Sequence, residues 1–234
     1  QWSQVANDAR GLGMTSIRIQ GFDCNALDLA SAACAQAGIQ LLAGLYISGT
    51  VAAGIDGINN DVQTFRAAVA KYGAGRYVGL AVGNEVQDSA GNIMAKVYDV
   101  RGYLNSIGIS VPVSTVHTWH RDNPSMCGAD FAGANAHAFY DPPSTSSNTN
   151  NFIINTVLPA VRNACPGKKL FITESGWPSR GGQVGAGVAS INDELIALQG
   201  LNCAAQSVSM YAFEYDDQLW KSNDNERSFG MWVK

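Results

Sequence analysis

The chain has 234 residues, of which 46% are hydrophobic and 15% are charged, and its formal net charge is −4. This composition is typical of a globular protein with one substantial core and excludes an intrinsically disordered chain. Because the net charge is negative and no basic block occurs, we expect no nucleic acid as a partner. No apolar run reaches about 18 residues, so we expect no membrane span.

The cysteines point to a secreted protein. They are scattered along the chain without a CxxC pair, which argues against a zinc site. Several cysteines, a low charge and many Ser, Thr and Asn residues fit an extracellular protein. Gln1 is not a natural start, so we expect processing or trimming at the N-terminus. The cysteines are Cys24, Cys34, Cys127, Cys165 and Cys203.

Hydrophobic periodicity and glycines at helix ends predict alternating helices and strands. In chain order they are helix Trp2–Leu12, strand Ser16–Ile19, helix Leu27–Ala37, strand Ile39–Ile47, helix Val62–Tyr72, strand Tyr77–Val82, helix Ile93–Ile107, strands Val111–Val116 and Phe131–Ala136, helix Phe152–Cys165, strand Leu170–Thr173, helix Ile191–Ala205 and strand Val208–Phe213. Such alternation predicts a parallel sheet. The segment Asp141–Asn151, rich in Pro, Ser, Thr and Asn, predicts a long surface loop.

Seven predicted strands are one fewer than a closed (β/α)8 barrel contains. Because the chain opens on a helix, we expect the absent strand to be the first, upstream of Gln1. The predicted fold class is therefore α/β, a (β/α)8 TIM barrel lacking its first β-strand, with residues 1–234 forming a single catalytic domain. The alternative is an open doubly wound sheet, which usually carries a glycine-rich phosphate turn. Neither GxGxxG nor GxxxxGK occurs here.

Two glutamates follow short apolar runs that are predicted to be buried strands. Glu85 follows the fourth barrel strand and Glu174 the seventh. The carboxyl ends of barrel strands carry the chemistry in such folds, and two carboxylates on separate strands can split a glycosidic bond. A single glutamate at a strand end is more often a solvated residue, so the prediction rests on the pair.

Other polar and aromatic residues at the predicted strand ends suit a sugar polymer. Aromatic faces pack against pyranose rings, and amides and carboxylates bind hydroxyl groups. We expect Arg18, in the middle of its strand, to point inward and pair with Glu174. Trp119 and Trp177 are predicted sugar platforms, with core packing as the alternative. The candidate substrate-binding residues are Arg18, Tyr46, Asn84, Trp119, Asn135, His137, Tyr140, Trp177 and Glu214.

The histidines do not predict a metal site. His117 and His120 are three residues apart, and at a strand end their imidazoles would face different directions. No HExxH or similar spacing supports metal coordination. We expect neither a metal nor a cofactor, and we interpret His137 as a hydrogen-bond donor to the substrate.

Two motifs together resemble glycoside hydrolase family 17, the β-1,3-glucanases of plants and fungi, and in particular its fungal β-1,3-glucanases and glucanosyltransferases. They are Val82-Gly83-Asn84-Glu85 and Thr173-Glu174-Ser175-Gly176-Trp177-Pro178. The pair is specific, and weaker matches occur in the right order along the rest of the chain.

Three of these weaker matches depart from the family pattern. Residues 17–25 are similar to the fungal "RxYGxDCN" stretch, with Gln20 where tyrosine is common. Residues 133–139 are similar to a "GxNAYPF" strand, with His137 in place of tyrosine. Residues 213–221 look like an "FEAFDEPWK" end, with glutamine and leucine for Glu-Pro.

The resemblance implies a retaining glycoside hydrolase that cleaves β-1,3-glucan through a covalent glycosyl-enzyme. Glu174 would be the nucleophile, Glu85 the proton donor and then the base, and Asn84 a ligand of the sugar 2-hydroxyl. Retaining chemistry requires the two carboxyl groups to lie about 5–5.5 Å apart.

The resemblance also sets the expected partner and location. The partner would be a β-glucan polysaccharide or oligosaccharide, and the protein would be a monomer, secreted or in the cell wall. One alternative is a β-1,3-glucanosyltransferase, in which a sugar hydroxyl replaces water. The other is a non-catalytic glucan-binding cell-wall protein, which is disfavoured because both carboxylates are present.

Overall fold

The computed structural model describes residues 1–121 and 124–232. They form two compact units: unit one comprises residues 1–117 and 124–132, and unit two comprises residues 118–121 and 133–232. Within the described residues, no helix is both long enough and apolar enough to cross a membrane.

Unit one is built from parallel strands that alternate with helices. Its strand order is β1-β2-β3-β4, followed by the start of β5, and the first three pairings are parallel. The elements are α1 (Trp2–Gly11), β1 (Ser16–Arg18), α2 (Ala26–Ala37), β2 (Gln40–Leu45), α3 (Ile55–Tyr72), β3 (Tyr77–Asn84), α4 (Ala90–Ser106), β4 (Val113–Thr118) and β5 (Phe131–Asn135), with short 3₁₀ turns at Asp23–Asn25, Ala74–Arg76 and Pro124–Met126.

The core of unit one lies around β2 and β3. Leu41, Phe65 and Leu80 are fully buried there, and the Phe65 ring meets Tyr77 edge-on with centroids 4.9 Å apart. Five of the six residues of β2 are buried because both faces of the strand are covered in a parallel α/β sheet. The continuous apolar runs in the sequence therefore correspond to strands buried on both faces.

Unit two continues the same alternation. Its strand order is the end of β5, then β6 and β9, with β6 and β9 parallel. The further elements are α5 (Thr149–Asn151), a π-helix (Phe152–Val157), α6 (Leu158–Ala164), β6 (Lys169–Ser175), β7 (Gln183–Val184), β8 (Gly187–Val188), α7 (Ile191–Ala204) and β9 (Ser209–Ala212), with 3₁₀ turns at Ala138–Tyr140 and Ser146–Asn148.

The seven predicted barrel strands and the six predicted helices are confirmed, with shifted ends. Helix α3 begins at Ile55 instead of Val62. Its first two turns contain glycine and two asparagines, which are poor helix formers, although Ile55 and Ile58 continue the apolar spacing of Val62. The predicted helix Phe152–Cys165 contains a π-helical stretch before Pro159. Proline has no N–H to donate to the preceding turn, which accounts for the changed hydrogen bonding there.

The polar segment Asp141–Asn151 is more ordered than the predicted surface loop. Ser146 Oγ donates to Asp193 Oδ1 at 2.6 Å, and Thr149 Oγ1 donates to the Ala197 carbonyl at 3.0 Å. Both hydroxyl side chains are buried against α7. The composition of the segment indicated a loop, because composition does not reveal that these hydroxyl groups form hydrogen bonds inside the protein.

Gly44 in β2 lies close against the backbone of the chain that follows β1. A Cβ atom at this position would lie 2.8 Å from the Ile19 carbonyl oxygen, which is backbone and cannot rotate away. We predict that Gly44→Ala lowers the free energy of unfolding by about 1–3 kcal/mol through overpacking. Urea unfolding measures the change.

Gly57→Ala is the matched control. Gly57 lies in α3, and an added Cβ would meet nothing within 4 Å. This variant should gain about 0.5–1 kcal/mol because alanine favours the helix. If Gly44→Ala unfolds at the wild-type urea midpoint or above it, the close approach does not constrain the sheet.

Candidate active site

The candidate site residues fall into two groups. Unit one holds Arg18, Tyr46, Asn84 and Glu85, and unit two holds Trp119, Asn135, His137, Tyr140, Glu174, Trp177 and Glu214. Most of them lie at the carboxyl end of a strand or just beyond it.

Glu85 occupies a tight turn directly after β3. Its φ is +52°, in the left-handed region that residues with a side chain rarely adopt. Gly83, two residues earlier, has φ +80°, and a side chain there would collide with Val86. The Glu85 N–H donates to the Val116 carbonyl at 2.8 Å, which fixes the turn against β4. Such strained residues cluster at functional sites, so the turn supports a functional role for Glu85.

Arg18 and Asn84 are joined at the carboxyl ends of β1 and β3. Arg18 Nη2 donates to Asn84 Oδ1 at 2.8 Å, and both side chains are partly buried. The bond fixes the orientation of the amide. The predicted pairing of Arg18 with Glu174 stays a prediction. Tyr46, just after β2, is exposed.

Glu174 lies inside β6 and is 7% exposed. Its carbonyl accepts from the Ala136 N–H at 2.8 Å. The residues on either side of Glu174 also bind the chain around the end of β5. Thr173 Oγ1 donates to Asn135 Oδ1 at 2.8 Å, and Ser175 Oγ donates to the Ala136 carbonyl at 2.7 Å. The small hydroxyl residues around Glu174 therefore hold the backbone that carries it. Asn135, a predicted sugar ligand, is buried in this connection.

His137 faces the Glu174 carboxylate. Its Nε2 atom lies 3.5 Å from Glu174 Oε2. The imidazole meets the rings of Phe213, Phe229 and Tyr140 edge-on, with centroids 5.1, 5.4 and 6.2 Å apart, respectively. These rings hold the imidazole in one orientation. The tautomer with a proton on Nε2 donates to the carboxylate, so His137 supports Glu174 in addition to any contact with a substrate.

Glu214, two residues beyond β9, lies among other charged groups. Lys221 Nζ is 3.1 Å from Glu214 Oε1 and 3.9 Å from Glu226 Oε2. The Tyr140 hydroxyl donates to Glu226. Burial raises the pKa of Glu214 to about 7, the charge of Glu174 adds to this rise, and Lys221 opposes it. Near neutral pH the Glu214 carboxyl group can therefore either donate or accept a hydrogen bond.

The two predicted tryptophan platforms differ. Trp177 is 1% exposed, its Nε1–H donates to the Val188 carbonyl at 2.9 Å, and it packs edge-on against Phe139. A platform needs an exposed ring face, so the structure places Trp177 in the core, the alternative that the sequence left open. Trp119 is half-buried and meets Phe152 edge-on with centroids 5.8 Å apart.

Sequence reasoning did not single out Lys221 or Glu226. Lys221 lies in the same "FEAFDEPWK"-like end as Glu214, and this shared motif was a usable signal. Glu226 lies in a polar loop far from any strand end, and nothing in its sequence neighbourhood marks it. Its role follows from the hydrogen bond with Tyr140.

Comparison with protein families decides the class of this chain. The model of the BtgE/BtgC glycoside hydrolase domain matches residues 1–231. The chain belongs to this family. The match covers both units, and the predicted membership of a glycoside hydrolase family is confirmed.

Three curated relatives are similar to this chain along most of its length. A probable beta-glucosidase btgE of Neosartorya fischeri is 29% identical over 97% of this chain and 42% of its own length. The probable family 17 glucosidase SCW10 of Saccharomyces cerevisiae is 30% identical over 94% of this chain and 57% of its own. The cell surface mannoprotein MP65 of Candida albicans is 28% identical over 98% and 61%, respectively. The chain thus spans about two fifths to three fifths of these longer proteins.

The fold is shared with a solved enzyme. The glycoside hydrolase family 17 beta-1,3-glucanosyltransferase of Rhizomucor miehei matches with a TM-score of 0.83 and 22% identity, over 100% of this chain and 88% of that one. The likeness confirms the predicted α/β fold of the (β/α)8 TIM-barrel type. The described residues supply seven parallel strands of such a barrel, and α1 precedes β1 in the chain.

The pKa of Glu214 predicts a pH-dependent stability. Because burial raises its pKa in the folded state from 4.5 to about 7, the folded state binds more protons than the unfolded state between these values. Stability therefore falls as pH rises through this window, by on the order of 1–3 kcal/mol. We predict that Glu214→Gln removes this loss, as measured by urea unfolding at pH 5 and pH 7.5.

The wild type and Glu214→Gln are compared at each pH, so that the effects of other titrating groups, which both proteins share, cancel. Equal losses of stability in the wild type and in Glu214→Gln would show that this carboxyl group is not the cause.

Proposed function

We propose that this chain is a retaining glycoside hydrolase that cleaves β-1,3-glucan through a covalent glycosyl-enzyme. The observation that carries the proposal is Glu174, a nearly buried carboxylate in β6 with the His137 imidazole 3.5 Å away, in a member of a glycoside hydrolase family. The substrate class is supported by the motifs around Glu85 and Glu174 and by the glucan-active enzyme that shares the fold.

Glu174 is the nucleophile and Glu85 is the acid and base. In the first step, a carboxylate oxygen of Glu174 attacks the anomeric carbon while Glu85 gives its proton to the departing glycosidic oxygen. In the second step, Glu85 takes a proton from water, the water oxygen attacks the anomeric carbon, and Glu174 leaves as a carboxylate. The product keeps the configuration of the substrate.

The surrounding residues bind and orient the sugar. Asn84, fixed by Arg18, presents its amide to the 2-hydroxyl of the sugar at the cleavage point. Tyr140 and Glu214 bind hydroxyl groups, with Glu226 and Lys221 holding them in place. Tyr46 and Trp119 offer ring faces to neighbouring sugars, and His137 and Asn135 support the nucleophile and its strand.

The same carboxylate pair supports transfer to a second sugar in place of hydrolysis. The two reactions differ in which hydroxyl group attacks the glycosyl-enzyme. Product analysis on β-1,3-gluco-oligosaccharides separates them: products longer than the substrate indicate transfer, and shorter products alone indicate hydrolysis. Binding without turnover would indicate a glucan-binding cell-wall protein.

The setting of this activity is also part of the proposal. Residues 1–234 act as one catalytic domain, and the protein works as a monomer, secreted or in the cell wall, on β-glucan polysaccharide or oligosaccharide. The relative that is a cell surface mannoprotein supports the location.

We predict that Glu174→Ala lowers turnover of β-1,3-gluco-oligosaccharides by about 10⁴-fold or more, because no carboxylate remains to form the glycosyl-enzyme. Azide should restore activity on an activated aryl glucoside and yield a glycosyl azide of inverted configuration, identified by NMR. Asp56→Asn, which removes an exposed carboxylate in α3, is the control and should keep full activity. Near-normal turnover by Glu174→Ala would refute the assignment of the nucleophile.

We predict a different result for Glu85→Ala. Loss of the acid should slow the first step by about 10²–10⁴-fold on natural glucan but spare aryl glucosides whose leaving groups need no proton. Azide should then speed the second step and yield a product of retained configuration. The rate of the first step on aryl glucosides is measured by pre-steady-state release of the aryl group. If this rate falls equally for good and poor leaving groups, Glu85 is not the acid.

A further inference from the structure

Trp220 is the most exposed large hydrophobic side chain among the described residues. It is 79% exposed, and the adjacent Leu219 is 66% exposed. A single apolar side chain at a protein surface is ordinary. What sets Trp220 apart is that the protein holds this indole in a fixed position close to Glu214.

The loop that carries Trp220 is fastened to the segment that follows β6. The Gly182 N–H donates to Asn225 Oδ1 at 2.7 Å, and Ser228 Oγ donates to the Arg180 carbonyl at 2.7 Å. Arg180 Nη1 also lies 2.7 Å from Asp217 Oδ2. These bonds lie on both sides of Trp220 in sequence, so the loop between them has little freedom to move.

The orientation of the indole is fixed as well. Its Nε1–H donates to Gln218 Oε1 at 2.8 Å, and Gln218 Nε2 in turn donates to Asp216 Oδ1 at 3.0 Å. The polar edge of the ring is therefore satisfied by the protein itself. The ring face stays exposed, and exposed apolar surface of this size is costly in water.

Lys221 connects this ring to the candidate site. Its Nζ atom lies 6.0 Å from the centroid of the Trp220 ring and 3.1 Å from Glu214 Oε1. A ligand that contacts Glu214 thus has the Trp220 ring within its reach. The ring adds an apolar face to a region that otherwise offers charged groups.

We propose that Trp220 is a stacking platform for a glucosyl unit of a β-glucan chain whose neighbouring unit is bound at Glu214. The proposal rests on the function proposed above and identifies one further residue that strengthens binding of the glucan chain. A pyranose ring suits this surface because its C–H face packs on the indole while its hydroxyl groups reach Lys221 and water. Trp220 thus takes the role that the sequence predicted for Trp177.

The test measures binding in the Glu174→Ala background, with a β-1,3-linked glucose hexamer as the ligand and isothermal titration calorimetry as the readout. Trp220→Ala should weaken binding about three- to tenfold, because the stacking contact is lost. Trp220→Phe should recover most of the affinity, since it keeps a ring face. Leu219→Ala is the matched control from the same loop and should bind as the parent does.

The outcomes separate this proposal from the one on which it rests. If the parent binds the hexamer and Trp220→Ala binds it equally well, the platform is refuted and the proposed function stands. If the parent binds no β-1,3-glucan oligomer, both proposals fall. Thermal unfolding of each variant shows that the fold is kept, which is expected because the exposed ring contributes little to the core.

Discussion

The near-complete burial of one carboxylate is the constraint on which unit two depends. Taking an ionised group out of water is costly unless polar partners face it. At Glu174 both groups come from the chain just beyond β5: the Ala136 N–H binds the backbone carbonyl of Glu174, and the adjacent His137 imidazole faces its carboxylate. A carboxylate held in this way is restricted in position and shielded from water, which suits the proposed attack on an anomeric carbon.

The charge at Glu174 also affects the groups around it. Glu214 lies close enough for this charge to add to the effect of burial, and Lys221 counteracts both. Lys221 is shared with Glu226, which accepts from the Tyr140 hydroxyl. The carboxyl groups of Glu214 and Glu226, the Lys221 ammonium and the Tyr140 hydroxyl therefore form one network. The protonation state of Glu214 thus depends on these neighbours as well as on pH. A sugar hydroxyl that enters this network can find either a donor or an acceptor.

Unit one holds its glutamate by a different means. Glu85 is placed by a strained turn, with a left-handed backbone at a residue that carries a side chain, and by the backbone hydrogen bond to Val116. Six of the eight residues of β3 are buried, so the packing of the strand can offset the local cost of the turn.

How much the sequence could predict depends on whether an interaction joins residues that are near or distant in the chain. The strands and the positions of Glu85 and Glu174 at strand ends could be predicted because hydrophobic periodicity and glycine turns act within a few residues. Glu226 could not, because its contact with Tyr140 joins residues 86 positions apart. The early start of α3 at Ile55 was missed because Gly57, Asn59 and Asn60 are poor helix formers and obscure the apolar spacing of the isoleucines before Val62.

The two tryptophans show why a local motif predicts position better than role. Trp177 follows β6 and Glu174 closely in sequence, yet its indole is buried and its N–H binds the Val188 carbonyl of β8. That anchor fixes the chain just before Ser179, where the Ser179 N–H donates to the Ser228 carbonyl at 2.8 Å. The loop that returns from β9 is thereby held on a rigid base, and Trp220 projects from that loop. Trp177 thus belongs to the core, and Trp220 lies at the surface, where the proposed stacking on a sugar needs an exposed ring face.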